Sequence, residues 1–582
     1  MTRRNKTASP QKPGRPGVFG LLGNYRQLVI LLVTFAVLTN AFNLWLPKII
    51  AKGIDAFSNG TFDWQTIAIE FLAATFVIFL FAWLQSIVQT VVSERVARDL
   101  RTRLSDKISR QSYAYIIQTN PAKLLTNLTA DIDSIKLFVS HAFVSIVSSA
   151  FVIVGAIVLL LITNWRLAIP IILIIPIIGG SFYLVFKKVR VLIKKSREVI
   201  DWLNKVINES IMGAAIIRVL NSQQVEAGKF LKANEQARDL GISILMLFAT
   251  LMPIISFTAN LATLIILALG GHLVIIDSMS LGDFAAFNSY LTILIFPIII
   301  IGFMSSLIAQ ATASYQRITE VLVASEPAET GVLDNQLSGT VEISNVSVFY
   351  GEKPALKKAS FNITPKSRTA IIGPTAAGKT QLLYLLTGLI NANEGDILFD
   401  GHPIKDYKAD AFHQQIGFVF QDSIIFNMSV RENIAFSETV TPEAMQLAMD
   451  TAELADFIDT LPQGLDTVIS ERGTTLSGGQ KQRIMLARAL ALKPRILLLD
   501  DFTARVDSKT EQKILDKLQQ NYPDLTLLSV TQKIAPVVHF DQIIVMMEGE
   551  IIAKGTHHDL MTSCPEYVQI FNSQRSTNSY EL

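Results

Sequence analysis

Gly373, Pro374, Thr375, Ala376, Ala377, Gly378, Lys379 and Thr380 follow a short apolar run, Thr369 to Ile372, and precede a longer one, QLLYLLTGLI. A strand, a glycine-bearing loop and a helix in this order make a phosphate-binding loop. The glycines let backbone N–H groups turn toward phosphate oxygens, the helix adds its positive N-terminal end, and Lys379 supplies a point charge. The Thr380 hydroxyl can ligate Mg²⁺. The chemistry favoured is binding of a nucleoside triphosphate.

Downstream, Ile496 to Asp500 reads ILLLD, a buried strand ending in an acid. Apolar runs ending in Asp are common, but beside a phosphate loop such an acid holds Mg²⁺ through water. The elements that must position these groups are those of an α/β domain. From about Val332, charges, glycines and alternating apolar residues replace the long apolar runs before them, the pattern of strands and helices. The boundary falls near Glu326 to Gly331.

The rest of the chain is of another kind. Of 582 residues, 50% are hydrophobic and 17% charged, with a mean hydropathy of +0.39, whereas soluble domains carry about 25% charged residues. A large part must face lipid. Apolar stretches near the ~20 residues needed to cross a bilayer run from Leu28 to Leu46, Phe71 to Val92, Phe143 to Ile162, Leu167 to Phe186, Ile244 to Ile275 and Phe284 to Leu307. The connections after spans two and four are long and basic, with Arg95, Arg98, Arg101 and Arg103 in one and Lys187, Lys188, Arg190 and Lys194 in the other. Positive loops stay in the cytoplasm, so both termini are expected inside. VARDLRTRLSDKI keeps a helical period beyond the second span, so spans two to five are expected to continue as helices below the membrane. The pattern breaks from Asn120-Pro121 through Asp133 and again from Ser210 to Leu220; from spacing alone each is a plain loop.

Pro176, Pro253 and Pro297 lie within spans four, five and six and permit kinks. Few charges interrupt the spans, which argues against an ion-driven carrier. The net charge of +2 is too small to suggest nucleic acid as a partner. The single cysteine, Cys564, excludes an internal disulfide framework and reads as inert. The N-terminal MTRRNKTASPQKPGRPG lacks the apolar core of a signal peptide and reads as a cytoplasmic tail.

Between the phosphate loop and the ILLLD strand stands Leu476-Ser477-Gly478-Gly479-Gln480-Lys481-Gln482-Arg483. With LSGGQ at this place, the chain is identified as a member of the ATP-binding cassette family. The six spans before it resemble the exporter type that joins membrane and nucleotide domains on one chain. The implied architecture is a basic tail over 1–20, an all-α six-helix membrane domain over 21–325 and an α/β P-loop nucleotide-binding domain over 326–582. The resemblance implies that Tyr350 stacks on adenine, that Gln421 reaches Mg²⁺ alongside Thr380 and Asp500, and that Thr467 to Gly473, TVISERG, contacts coupling helices formed by the two loop tips. It also implies that two nucleotide domains close head to tail, so that Ser477, Gly478, Gly479 and Gln480 serve, in trans, ATP held by a partner's phosphate loop. The N-terminal amides of the helix that starts there suit a γ-phosphate.

The sequence departs from the family at the hydrolytic positions. The residue after the Mg²⁺ aspartate is normally Glu but here is Asp501, and the switch histidine is replaced by Gln532 in Val530-Thr531-Gln532-Lys533. Asp501 keeps the charge and loses reach, and errors near 1 Å lower rates on the order of a hundredfold. Gln532 can hydrogen-bond a phosphate but cannot become cationic. Ala376 stands where Gly is usual, and Ala504-Arg505-Val506-Asp507 where S-A-L-D is usual.

With Lys379, Thr380, Asp500 and Gln421 present, ATP and Mg²⁺ are still expected to bind. This combination resembles the degenerate-site subunit of bacterial heterodimeric multidrug exporters. The implied partner is a homologous half-transporter with a catalytic Glu and a switch His, and the implied cargo is an amphipathic small molecule or lipid. Modest length and the lack of insertions favour a bacterial cytoplasmic membrane. The alternatives are a homodimeric exporter with slow hydrolysis at both sites and, in another class, an ATP-gated channel or regulatory membrane protein.

Overall fold

A computed structural model describes residues 17–327, 331–351, 353–469 and 476–578. Most of the expected N-terminal tail, part of the 326–331 boundary and residues 470–473 of TVISERG therefore lie outside the described residues. The chain divides into two compact units, Met1–Ser109 with Thr119–Ala324, and Arg110–Gln118 with Ser325–Leu582.

The first unit is helical. Among the described residues, five helical stretches are long and apolar enough to cross a membrane. The third, Pro121–Met212, runs for 92 residues and contains both the third and the fourth expected spans. It is broken at Asn164, which leaves the helical region at φ −159° and ψ 106°. The Asn164 side-chain oxygen accepts from the Arg166 and Leu167 amides at 3.1 and 3.3 Å, so a polar cap starts a fresh helix there. Among the described residues the count is therefore five stretches against six expected spans.

The helix Trp64–Ser109 has 46 residues, or about 70 Å at the helical rise. That is more than twice the ~30 Å hydrocarbon thickness, so it continues well past an apolar layer. Phe76, Phe79 and Trp83 on it are exposed, as lipid-facing side chains are. Leu160, Phe287 and Tyr290 form the buried seam, and the Tyr290 hydroxyl donates to the Leu44 carbonyl at 3.1 Å. Pro253 and Pro297 lie inside their helices. Pro176 does not interrupt one: it occupies the first turn of Ile174–Met212, where a missing N–H leaves no helical bond unmade.

The first loop tip differs from expectation. The break falls earlier, around the short helix Tyr113–Thr119, and the backbone is helical again from Pro121, with π-helical turns at Asn127–Asp131 and Phe138–Ala142. Asn120 takes φ 71° and its side chain accepts from the Ala122 amide. Pro121, read as a breaker, begins a helix instead. The second tip is interrupted at Gly213 and carries the short helix Ala214–Val219.

The second unit holds ten strands among the described residues, in chain order β1 (Val341–Tyr350), β2 (Lys353–Ile363), β3 (Arg368–Ile372), β4 (Glu394–Phe399), β5 (His402–Pro403), β6 (Ile416–Val419), β7 (Ile496–Asp500), β8 (Thr526–Thr531), β9 (Gln542–Met547) and β10 (Glu550–Gly555). One sheet has the order β2-β1-β4-β5 and is antiparallel; the other has the order β10-β9-β3-β8-β7-β6 and is parallel from β9 to β6. Strands β7 and β8 are buried at every position, which explains the apolar run Ile496 to Leu499 in β7. Residues 110–118, distant in sequence, pack with this unit, and the Tyr113 ring meets the Tyr384 ring edge-on at 5.6 Å. Cys564 is buried, and burial pushes its thiol pKa up, which suits an inert side chain.

Candidate nucleotide-binding site

Strand β3 lies next to β8, and β8 next to β7. The loop after β3, the acid ending β7 and the residues after β8 thus meet at the carboxyl edge of one parallel sheet, where α/β folds bind ligands. A cavity of 220 Å³ opens there, lined by Thr375, Ala376, Ala377, Gly378, Lys379 and Thr380 from the loop, and by Gln421, Asp500, Asp501 and Gln532 from three other segments.

The loop conformation explains its glycines. Gly378 has φ +93°, and a Cβ there would meet the Ala355 carbonyl oxygen at 2.4 Å; a Cβ on Gly373 would meet the Met546 carbonyl oxygen at 2.1 Å. Ala376 has φ +66°, a left-handed conformation that costs an L residue roughly 1–2 kcal/mol. The substitution of the family's usual glycine therefore strains the backbone as well as adding a methyl group.

Lys379 begins the helix Lys379–Leu386, and its ammonium donates to the Gly373 and Pro374 carbonyls at 2.7 and 2.8 Å. Those two residues hold the lysine and do not line the cavity. Burial lowers the Lys379 pKa, and Asp501 and Asp500 oppose the shift. The Thr380 hydroxyl donates to Asp500 Oδ1 at 3.2 Å. Asp500 is 2% exposed, and its Oδ2 is buried without a hydrogen-bond partner among the described residues. A buried, unmatched carboxylate oxygen beside a threonine hydroxyl fits a hydrated Mg²⁺. Thr380 and Asp500 would hold the ion and Gln421 would complete its surroundings; bound, Mg²⁺ neutralises charge on the phosphates.

Asp501 is half-buried beyond Asp500, and burial raises its pKa against the pull of Lys379 and Lys533. It too takes a left-handed φ, 45°, with its amide donating to the Val530 carbonyl at 2.9 Å. Gln532 faces the same cavity. Tyr350 does not line it: the ring is exposed at the end of β1, and its hydroxyl donates to Gln381 Oε1 at 2.6 Å, one residue past Thr380.

The signature residues stand apart. Ser477 caps the helix Gly478–Ala491 in a reciprocal box with Gln480, and none of Ser477, Gly478, Gly479 and Gln480 lines the cavity. Two residues escaped the sequence reading. Gln381 lies on the cavity wall, and buried Gln482 donates to the Gln421 carbonyl at 3.1 Å, linking the signature helix to the glutamine segment. Gln482 sits inside the LSGGQKQR run, which was its only signal.

Residues 29–298 match the family model described as the ABC transporter transmembrane region, and residues 356–504 match that described as ABC transporter. The "Uncharacterized ABC transporter ATP-binding protein YfiB" of Bacillus subtilis (strain 168) is 33% identical over 558 residues, covering 94% of this chain and 95% of that protein. The chain belongs to the ABC transporter family. An "ATP-dependent lipid A-core flippase" of Syntrophus aciditrophicus (strain SB) is 29% identical over 497 residues, covering 85% of this chain and 83% of its own. Among solved structures, that of a bacterial Atm1-family ABC exporter with ATP bound superposes with a TM-score of 0.77 at 25% identity, over 95% of this chain and 99% of that one. The protein is thus an ATP-driven ABC exporter, a translocase-type ATPase with a helical transmembrane domain and an α/β nucleotide-binding domain, acting in a lipid bilayer. Membership of this ATPase family implies ATP as its nucleotide, with Mg²⁺ its usual companion.

Proposed function

We propose that this ABC exporter subunit binds ATP at a cavity poor in hydrolysis and lends Ser477, Gly478 and Gly479 to the ATP of a catalytically competent homologous partner. The observation that carries this reading is the pair Asp501 and Gln532: both line the phosphate cavity, at the two positions where the family uses a longer acid and a group able to carry charge. Within the cavity, the loop amides and Lys379 would bind phosphate, Thr380 and Asp500 would hold Mg²⁺, and Asp501 would accept a proton from water at its carboxylate with too short a reach. The signature helix lies outside its own chain's cavity, which supports a site completed by a second chain.

The membrane part is read as six crossings with cytoplasmic termini, the polar cap at Asn164 separating spans three and four, in a bacterial cell membrane. The cargo class is an amphipathic small molecule or lipid. Its support is the apolar character of the spans and the flippase activity named for one relative.

ATP turnover by the purified chain tests the central claim. Low activity alone that rises strongly with a homologous half-transporter, and rises in an Asp501→Glu, Gln532→His double variant, supports it. Equal activity with and without that partner would leave the second reading, a slow homodimer, which is favoured by the carboxylate retained at Asp501.

A further inference from the structure

The segment that carries Gln532 is held from the far end of the chain. The C-terminal helix Pro565–Asn578 is anchored by Tyr567, which is fully buried with its hydroxyl 2.7 Å from His557 Nδ1. Ile570 and Phe571 pack against the same core. Gln574 follows at helical spacing on that face. Its side-chain amide donates to the Gln532 carbonyl at 2.6 Å, and its Oε1 accepts from the Ile534 amide at 2.9 Å. One side chain therefore pairs with backbone groups on both sides of Lys533, as a neighbouring strand would.

The segment needs such a tether. Beyond the end of β8 it borders a cavity of 580 Å³ lined by Gln532, Lys533, Pro536, Phe571 and Gln574 among others, so it lacks close packing on that side. Its own backbone contacts are short-range: the Lys533 amide donates to Thr531 Oγ1 at 3.0 Å and the Val537 amide to the Ile534 carbonyl at 3.0 Å. The Lys533 ammonium lies 3.8 Å from buried Glu511, which restrains that side chain without fixing the backbone of its neighbours. Gln574 brings a long-range hydrogen-bonding group from an anchored helix to the carbonyl of Gln532 itself.

We propose that Gln574 is a positioning residue for the slow ATP turnover of this chain's own cavity: by fixing the backbone on both sides of Lys533 it sets where the Gln532 side chain meets the terminal phosphate. This rests on the reading of Gln532 as a phosphate-contacting group. It makes the C-terminal helix part of the hydrolytic apparatus, although the helix itself is distant in sequence from every nucleotide motif. Loss of the one hydrogen bond that holds the Gln532 carbonyl, a bond of ordinary strength, sets the expected scale at a roughly five- to tenfold effect.

The test uses the full-length chain by itself in lipid nanodiscs, where the slow ATP turnover read is that of its own cavity, with Gln574→Ala and Gln574→Glu. Hydrogen exchange at the Ile534 amide is expected to speed about tenfold in Gln574→Ala, with the phosphate-loop amides unchanged, while kcat falls five- to tenfold and KM for ATP stays within about twofold. Gln574→Glu keeps the acceptor for Ile534 and loses the donor for Gln532, so it should retain most exchange protection and still lower kcat. Should Gln574→Ala fail to fold, the isosteric Gln574→Glu carries the comparison. Unchanged exchange at Ile534 in Gln574→Ala, or an unchanged kcat in both variants while Gln532→Ala lowers it, overturns the proposal. If Gln532→Ala itself leaves kcat unaltered, the reading of Gln532 falls, and the proposal with it, whatever the exchange shows.

Discussion

The carboxylate of Asp55 accepts a hydrogen bond from the Gly282 amide at 2.7 Å, joining the end of the helix Arg26–Ser58 to the start of Leu281–Val323. Its other oxygen accepts from the Ser280 hydroxyl at 2.8 Å, and Ser280 itself caps the second helix. The approach is close enough that a Cβ on Gly282 would meet the Ala51 carbonyl oxygen at 2.2 Å. Gly282→Ala should therefore destabilise the membrane domain by about 2 kcal/mol. Asp55→Ala should cost about 1 kcal/mol by leaving a helix-start amide without its partner. Thermal unfolding in detergent reads both, and a melting temperature unchanged in Gly282→Ala would contradict the contact.

Relief is expected at the phosphate loop. Ala376 holds φ +66°, so Ala376→Gly should recover about 1 kcal/mol of backbone strain, partly offset by the freer unfolded chain that glycine brings. ATP affinity should stay equal or tighten, as measured by calorimetric titration; weaker binding would mean that the methyl group makes a contact the loop needs.

Arg505 links one departure from the family pattern to the glycines of the signature run. Its side chain lies over Gly478, where a Cβ would meet Arg505 Cδ at 3.0 Å, whereas a Cβ on Gly479 would meet the Arg505 backbone oxygen at 2.8 Å. Truncating Arg505 can relieve the first clash and not the second. In a double-mutant cycle, Arg505→Ala should therefore rescue the thermal stability lost in Gly478→Ala and leave Gly479→Ala unrescued. Equal rescue of both would refute the side-chain placement.

Stability without nucleotide should depend on pH through Asp500. Burial raises its folded pKa above the ordinary 3.8, so above that value the unfolded chain gives up the proton first. The native state then binds more protons, and stability falls as pH rises through the window between the two values. Asp500→Asn should raise the melting temperature at neutral pH when Mg²⁺ and nucleotide are withheld, and should give no gain below the ordinary aspartate range. An equal gain at both pH values would trace the effect to something other than ionisation.

Much of the site was legible because its chemistry is written in contiguous runs. Residues 373–380 and 496–500 carry strand, loop and acid in one stretch each, and the apolar spans announce themselves by composition alone. Placement across the chain was harder to read. Pro121 looks like a breaker in sequence, yet proline also starts helices, and only the left-handed Asn120 before it decides which. Asn164 is one polar residue in an apolar field; its role as a cap depends on backbone angles that composition does not encode. The third of the five apolar stretches holds two expected spans and is interrupted at that residue. Gln381, Gln482 and Gln574 are uncharged amides with no spacing rule, and their roles come from tertiary contacts.

Residues 110–118 belong by packing to the nucleotide-binding unit, with Tyr113 against Tyr384, and this bears on biosynthesis. During translation the first piece of that unit emerges ahead of most of the membrane helices, and its companion emerges after them. The unit cannot be completed until the ribosome has passed the last apolar stretch, so its closure follows membrane insertion in time. A gene fragment beginning at residue 325 would yield a domain lacking one of its own surface pieces, with the ring of Tyr384 short of a neighbour.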